Sequence, residues 1–229
     1  MAAVTPHTCA YCGIPSRELT RDHVVPCALW VKGERPGHPV IVPACLKCHK
    51  KYDDEATYFR NCLVSMCDMD AHPMLGKLLR GPVVRSIGRR RGVARDFFRN
   101  SQLRERRDKA GIITGSGWAF ELDLPRFNRI VEKIVRGLFF FKSHERLPDT
   151  HEVGIFPDDA FWDMAGFQSL GPGWEPAAGL GDDVFTCRCQ RDSSDDYSTA
   201  WLLVFYQKVV LFAWSNRIAL TSRVPHSIS

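Results

Sequence analysis

Two matched cysteine pairs constrain this chain more than any other feature. Cys9-Ala-Tyr-Cys12 and Cys45-Leu-Lys-Cys48 repeat one C-x2-C spacing. Each short loop turns two thiolates toward one point, and two such loops complete a tetrahedral zinc site. Redox or buried free thiols would not account for the duplicated spacing, so Cys9, Cys12, Cys45 and Cys48 are expected to hold structural zinc. The 229 residues contain nine cysteines. An odd count with no apolar leader ahead of Cys9 argues against a secreted disulfide scaffold. It points to a reducing, cytoplasmic setting in which thiols stay free for metal. Cys27, Cys62 and Cys67 lack such partners and are expected in the core. Cys187 and Cys189 alternate along an expected strand, Phe185 to Gln190, and should share one packed face.

Charge separates the middle of the chain from its flanks. The net charge is +5, yet residues 85–109 carry nine Arg and one Lys against three acids. Arg-rich stretches neutralise phosphates and give salt-sensitive binding to nucleic acid. Arg85, Arg89, Arg90, Arg91, Arg95 and Arg99 are therefore candidate contacts to DNA, expected to be double-stranded, positioning it without reading its sequence. The alternative is a solvated helix face with acidic neighbours folded over it. No membrane span is expected: the longest apolar tract, Ala200 to Trp214, is short and interrupted by Gln207 and Lys208.

Turn signals and hydrophobic spacing divide the chain into a zinc module at 1–70, a basic connector at 71–110 and an α+β accessory region at 111–229. The first segment should run knuckle, strand, loop, strand, second knuckle, helix. Its helix follows the second pair, with Tyr52, Tyr58, Phe59, Cys62, Leu63 and Met66 near helical spacing. Residues 125–141 predict an amphipathic helix. Phe127, Ile130, Val131, Ile134, Val135 and Leu138 fall on its apolar side, and Arg126, Arg129, Glu132, Lys133 and Arg136 on its polar side. Residues 148–183 suggest loops with short elements, and 185–191 and 200–214 predict antiparallel strands. The fold class is α+β.

The residues that announce chemistry lie within the first segment. Asp22-His23 sits on the strand leaving the first pair, and His49 directly follows the second. Zinc closure would bring them together. A carboxylate and an imidazole can hold a divalent cation, and a second imidazole, with a pKa near 6.5, can activate water. Phosphodiester hydrolysis needs that combination. Asp53, Asp54 and Glu55, a little further on, are expected to form a solvated face. His7, His72, His144, His151 and His226 stand alone as surface or core residues.

The text CAYCG…TRDHVVPCALW…VPACLKCHKKYDDEATYFR, residues 9–60, resembles the HNH endonucleases, the ββα-metal group on a treble-clef scaffold. The resemblance implies that His23 is the general base and that Asp22 and His49 ligate a catalytic magnesium, manganese or other divalent ion. It assigns the four cysteines to the structural zinc of the family's cysteine-bearing branch. The chain departs from the pattern at the central Asn, where the window reads His38-Pro39-Val40; His38 takes that place. The expected activity is metal-dependent DNA hydrolysis. A zinc-stabilised nucleic-acid-binding module without cleavage is the alternative, and a protein-interaction domain with purely structural zinc a third.

Overall fold

The computed structural model describes residues 8–89, 101–108, 110–119, 121–156, 174–180 and 183–218. Strand β1 (Leu19–His23) pairs antiparallel with β2 (Ile41–Cys45), placing Asp22 opposite Val42 and Thr20 opposite Ala44. Helix α1 (Leu46–Met66) leaves β2 with no intervening loop, because Cys45 is still extended when the helix begins. Free of Gly and Pro, α1 buries Tyr52, Tyr58, Phe59, Cys62 and Leu63 at the expected spacing.

The described residues of the stretch expected as a connector, 71–89, 101–108 and 110, include short elements. Helix α2 (Pro73–Leu78) passes through a π-turn at Leu79–Val83 into α3 (Val84–Arg89). The π-turn accommodates Pro82, which has no N–H to give an α-helical ladder. Strands β3 (Gln102–Arg107) and β4 (Ile113–Ala119) then form a separate hairpin that exposes Leu103 and Ile113.

Helix α4 (Leu124–Ser143) matches its sequence pattern at both ends. Asp123 accepts from the Arg126 amide at the start, Pro125 occupies the first turn, and left-handed His144 closes the end by donating to Phe140 O. Its apolar side packs on α1, with the Phe59 and Phe127 rings 4.6 Å apart. Glu55 of α1 accepts from both Arg126 and Arg129, the latter at 2.7 Å. That carboxylate is therefore an interhelix tie, not the solvated group expected from its acidic neighbours.

Beyond α4, β5 (His151–Phe156), β6 (Glu175–Leu180), β7 (Phe185–Arg191), β8 (Thr199–Phe205) and β9 (Val209–Arg217) form one antiparallel sheet in the order β5-β9-β8-β7-β6. Alternation on β8 sends Trp201, Leu203 and Phe205 to the main core and Leu202 and Val204 to a smaller cluster on the other face. Cys187 and Cys189 are both buried, as their shared face requires. Tyr206 and Gln207 adopt φ of 52° and 56°, the double left-handed geometry of a tight hairpin turn. Buried Tyr206 donates its hydroxyl to Leu29 O at 2.9 Å, tying that turn to the N-terminal segment. One core cluster runs from Cys9 through α1 and α4 to Ala213. Among the described residues no helix is long and apolar enough to cross a membrane.

Candidate metal centre

The first cysteine pair is shaped by its backbone. Gly13, at φ 70°, lets the chain reverse so that its amide donates to Cys9 O at 2.9 Å. The Ala10 amide donates to Pro43 O at 2.8 Å, which fastens this loop to β2 and hence to Cys45 and Cys48. The four sulfurs consequently lie within 4.8 Å of one another, with Cys12 and Cys45 at 3.8 Å. Thiolates bound to zinc at about 2.3 Å form a tetrahedron with edges of about 3.8 Å. Cys9, Cys12, Cys45 and Cys48 could thus hold a metal ion such as zinc.

The electrostatics point the same way. Burial works to raise the Cys45 thiol, but donors from the Cys48 amide and the neighbouring thiols outweigh it and pull it down to about 7. Burial and the adjacent sulfurs push Cys48 strongly up. Packed thiols that compete for one ionisation need a cation before all can serve as ligands.

Asp22 and His49 meet next to this cluster. Asp22 is 5% exposed, and its Oδ1 lies 3.6 Å from His49 Nδ1. Thr20 Oγ1 donates to Ala44 O at 3.0 Å and lies 3.0 Å from the same His49 nitrogen. The other Asp22 oxygen is already engaged: Tyr11 donates to Oδ2 at 2.5 Å, and the Lys133 ammonium lies 2.8 Å from it. Lys133 also donates to the His23 carbonyl at 2.7 Å.

His23 faces the other side of β1, as adjacent strand residues must. It is half-buried and lines a cleft of about 110 Å³ with Cys27, Trp30, Arg35 and Pro39 among its walls. Burial lowers its pKa below the usual 6.5; Asp22 opposes the shift and Arg35 adds to it. The ring is accordingly a neutral imidazole at neutral pH. His38 is exposed on the loop before β2 and is not among the residues lining that cleft. Among the described residues, only the four cysteines form a group of three or more metal-ligating side chains around one point.

The remaining candidates divide. Arg85 is exposed on α3, and Arg89 ends that helix. Arg90, Arg91, Arg95 and Arg99 lie outside the described residues. Of the three cysteines expected in the core, Cys62 is buried there, while Cys27 and Cys67 are half-buried. His151 is buried against Asp195, and His72 caps α2.

Lys133 and Tyr11 were not recognisable as site residues from sequence. Lys133 was expected on the polar side of its helix, yet it is 4% exposed. Its position supplies a faint signal, since it falls three residues after buried Ile130 and four before Gly137, on the seam of the apolar stripe. At Gly137 an added Cβ would meet both Val24 methyls at 2.8 Å, so this glycine lets α4 lie against the end of β1. Comparison of the chain with family models, with curated proteins and with solved structures gave no match in any of the three.

Proposed function

We propose that the protein is a metal-dependent endonuclease of the HNH type that hydrolyses DNA phosphodiester bonds. The observation that carries this is the approach of Asp22 Oδ1 to His49 Nδ1, 3.6 Å apart at the junction of β1, β2 and α1, beside four convergent cysteines. The run of strand, strand and helix with a cysteine pair at its entry and another at the strand–helix junction supports a treble-clef module. Structural zinc in the four cysteines would fix the two loops. Asp22 and His49 would hold the catalytic cation, which supplies charge stabilisation for the phosphate and the leaving oxygen. His23, kept neutral by burial, would accept the proton of the attacking water from its solvent-open cleft. Arg35 at the rim of that cleft and Arg85 on α3 would contact DNA phosphates.

Zinc-loaded protein is expected to nick plasmid DNA with magnesium or manganese. His23→Ala should abolish nicking while leaving zinc content unchanged; undiminished nicking would remove His23 from its role. The second reading, a zinc-stabilised DNA-binding module without cleavage, is favoured by one observation: Lys133 and Tyr11 already occupy Asp22 Oδ2. It predicts salt-dependent DNA retention with no nicking under any divalent cation.

A further inference from the structure

A buried cation supplied by the chain itself sits on the carboxylate assigned to metal. Lys133 and Asp22 expose only 5% and 7% of their side chains, and no other acid lies within ion-pair distance of the Lys133 ammonium among the described residues. The ammonium is walled by the Tyr52 and Tyr11 rings, whose centroids lie 5.6 and 5.9 Å away. Its contacts to Asp22 Oδ2 and to the His23 carbonyl tie it to the end of β1. Oδ1 remains the oxygen turned toward His49.

Resting on the metal-dependent reading above, we propose that Lys133 is the resident countercharge of Asp22. It is a positioning residue that presents Oδ1 toward His49 and holds the affinity for a divalent cation low until a phosphodiester arrives. The charges require this order. Asp22 and Lys133 sum to zero, so the ammonium cancels most of the attraction that Asp22 alone would offer a dication entering the free site. A phosphodiester contributes negative charge that offsets the ammonium and the dication together. Cation and DNA therefore bind with positive coupling, and Lys133 keeps the affinity for the cation low while DNA is absent.

The test is Mn²⁺ binding by electron paramagnetic resonance, using full-length zinc-loaded protein with and without a short DNA duplex. Wild-type protein should bind Mn²⁺ weakly alone and roughly tenfold or more tightly with duplex. Lys133→Met should tighten Mn²⁺ binding to the free protein by roughly tenfold or more, with duplex still tightening it further. Lys133→Arg should behave as wild type, and Asp22→Asn combined with Lys133→Met should lose the ion. If Lys133→Met does not fold, Lys133→Gln keeps a donor without the charge and must shift affinity in the same direction. A merely structural lysine predicts the opposite sign, with Mn²⁺ binding weakened as melting temperature falls; that result, or no change, overturns the assignment and leaves the nuclease reading standing. Absence of Mn²⁺ binding in wild type and every variant, with or without duplex, overturns both.

Discussion

The N-terminal hairpin–helix unit and the C-terminal sheet solve the same folding problem by different means. The sheet is held mainly by alternation, with Trp201, Leu203, Phe205, Leu211 and Ala213 in the common core, and adds a buried hydrogen-bond chain through Trp201, Thr199 and Ser215. The unit from Cys9 to His49 has short strands and few large core residues. It relies on directional contacts, with four convergent sulfurs, the Ala10–Pro43 bond and the buried Asp22–Lys133 pair. Short strands alone rarely fold in water, so such a unit needs a staple or a neighbour. Here α4 is the neighbour, serving the hairpin and the sheet at once, and the four convergent cysteines could hold the staple. The difference shows that a chemically specialised segment can carry a thin core when an adjoining sheet supplies the apolar mass.

The largest way to break this contrast is to strip any metal that the four cysteines hold. Structural zinc contributes roughly 10–16 kcal/mol of apparent binding energy in small domains, comparable to the roughly 5–15 kcal/mol that stabilises a whole domain. Strong chelation, or Cys45→Ser, should unfold the knuckles and the β1–β2 hairpin. Because the core is continuous, buried Trp201 should report the same thermal transition as zinc release. Two separate transitions would show that the halves fold independently. Phe59→Ala tests the shared core directly, since Phe59 is fully buried and its ring lies 4.6 Å from Phe127 and 5.5 Å from Phe205. It should cost about 3–5 kcal/mol in urea unfolding; a loss well under 1 kcal/mol would contradict the common core.

Smaller substitutions sharpen the comparison within each half. Thr20→Val removes the hydroxyl between Ala44 O and His49 and should cost about 0.5–1.5 kcal/mol, read as a lower urea midpoint. In the sheet half, a hydrogen bond from His151, with help from the Tyr197 amide, holds the Asp195 carboxyl down at about 2, against an ordinary 3.8. Its folded value lies below the unfolded one, so the stability it adds is present above 3.8 and is lost as pH falls through about 2. Asp195→Asn should therefore lower the melting temperature modestly at pH 7 and by clearly less at pH 2. An equal difference at both pH values would exclude this linkage.

What the sequence made legible follows the reach of each signal. The cysteine spacing acts over a few residues, and the four sulfurs do converge. The apolar period of α4 extends over five turns, so its ends and buried face were readable to within two residues. Lys133 escaped because one lysine on the seam of an apolar stripe does not alter the period; only the acid waiting across the interface makes its burial tolerable. Glu55 escaped for a related reason, since its two arginines come from a helix that begins 69 residues later. The β3–β4 hairpin was hidden because Gly115 and Gly117 dilute the strand pattern of β4 and charged side chains fill β3. Zinc occupancy, the cation at Asp22 and His49, and DNA cleavage rest on motif resemblance and now on the tests above.

Gly137, which brings α4 against Val24, also has a consequence for when the protein becomes complete. A chain emerging from the ribosome displays all four cysteines, Asp22 and His49 once residue 49 is out. Lys133 lies 84 residues further on, which at about 5–20 residues per second is roughly 4 to 17 seconds of synthesis. During that interval the cysteines can already close on zinc, while Asp22 has no lysine to pair with. Only when α4 settles along its glycine notch does the acid acquire its partner. The finished site is thus a product of the whole polypeptide, and a chain released early would carry every motif residue without the charge that balances them.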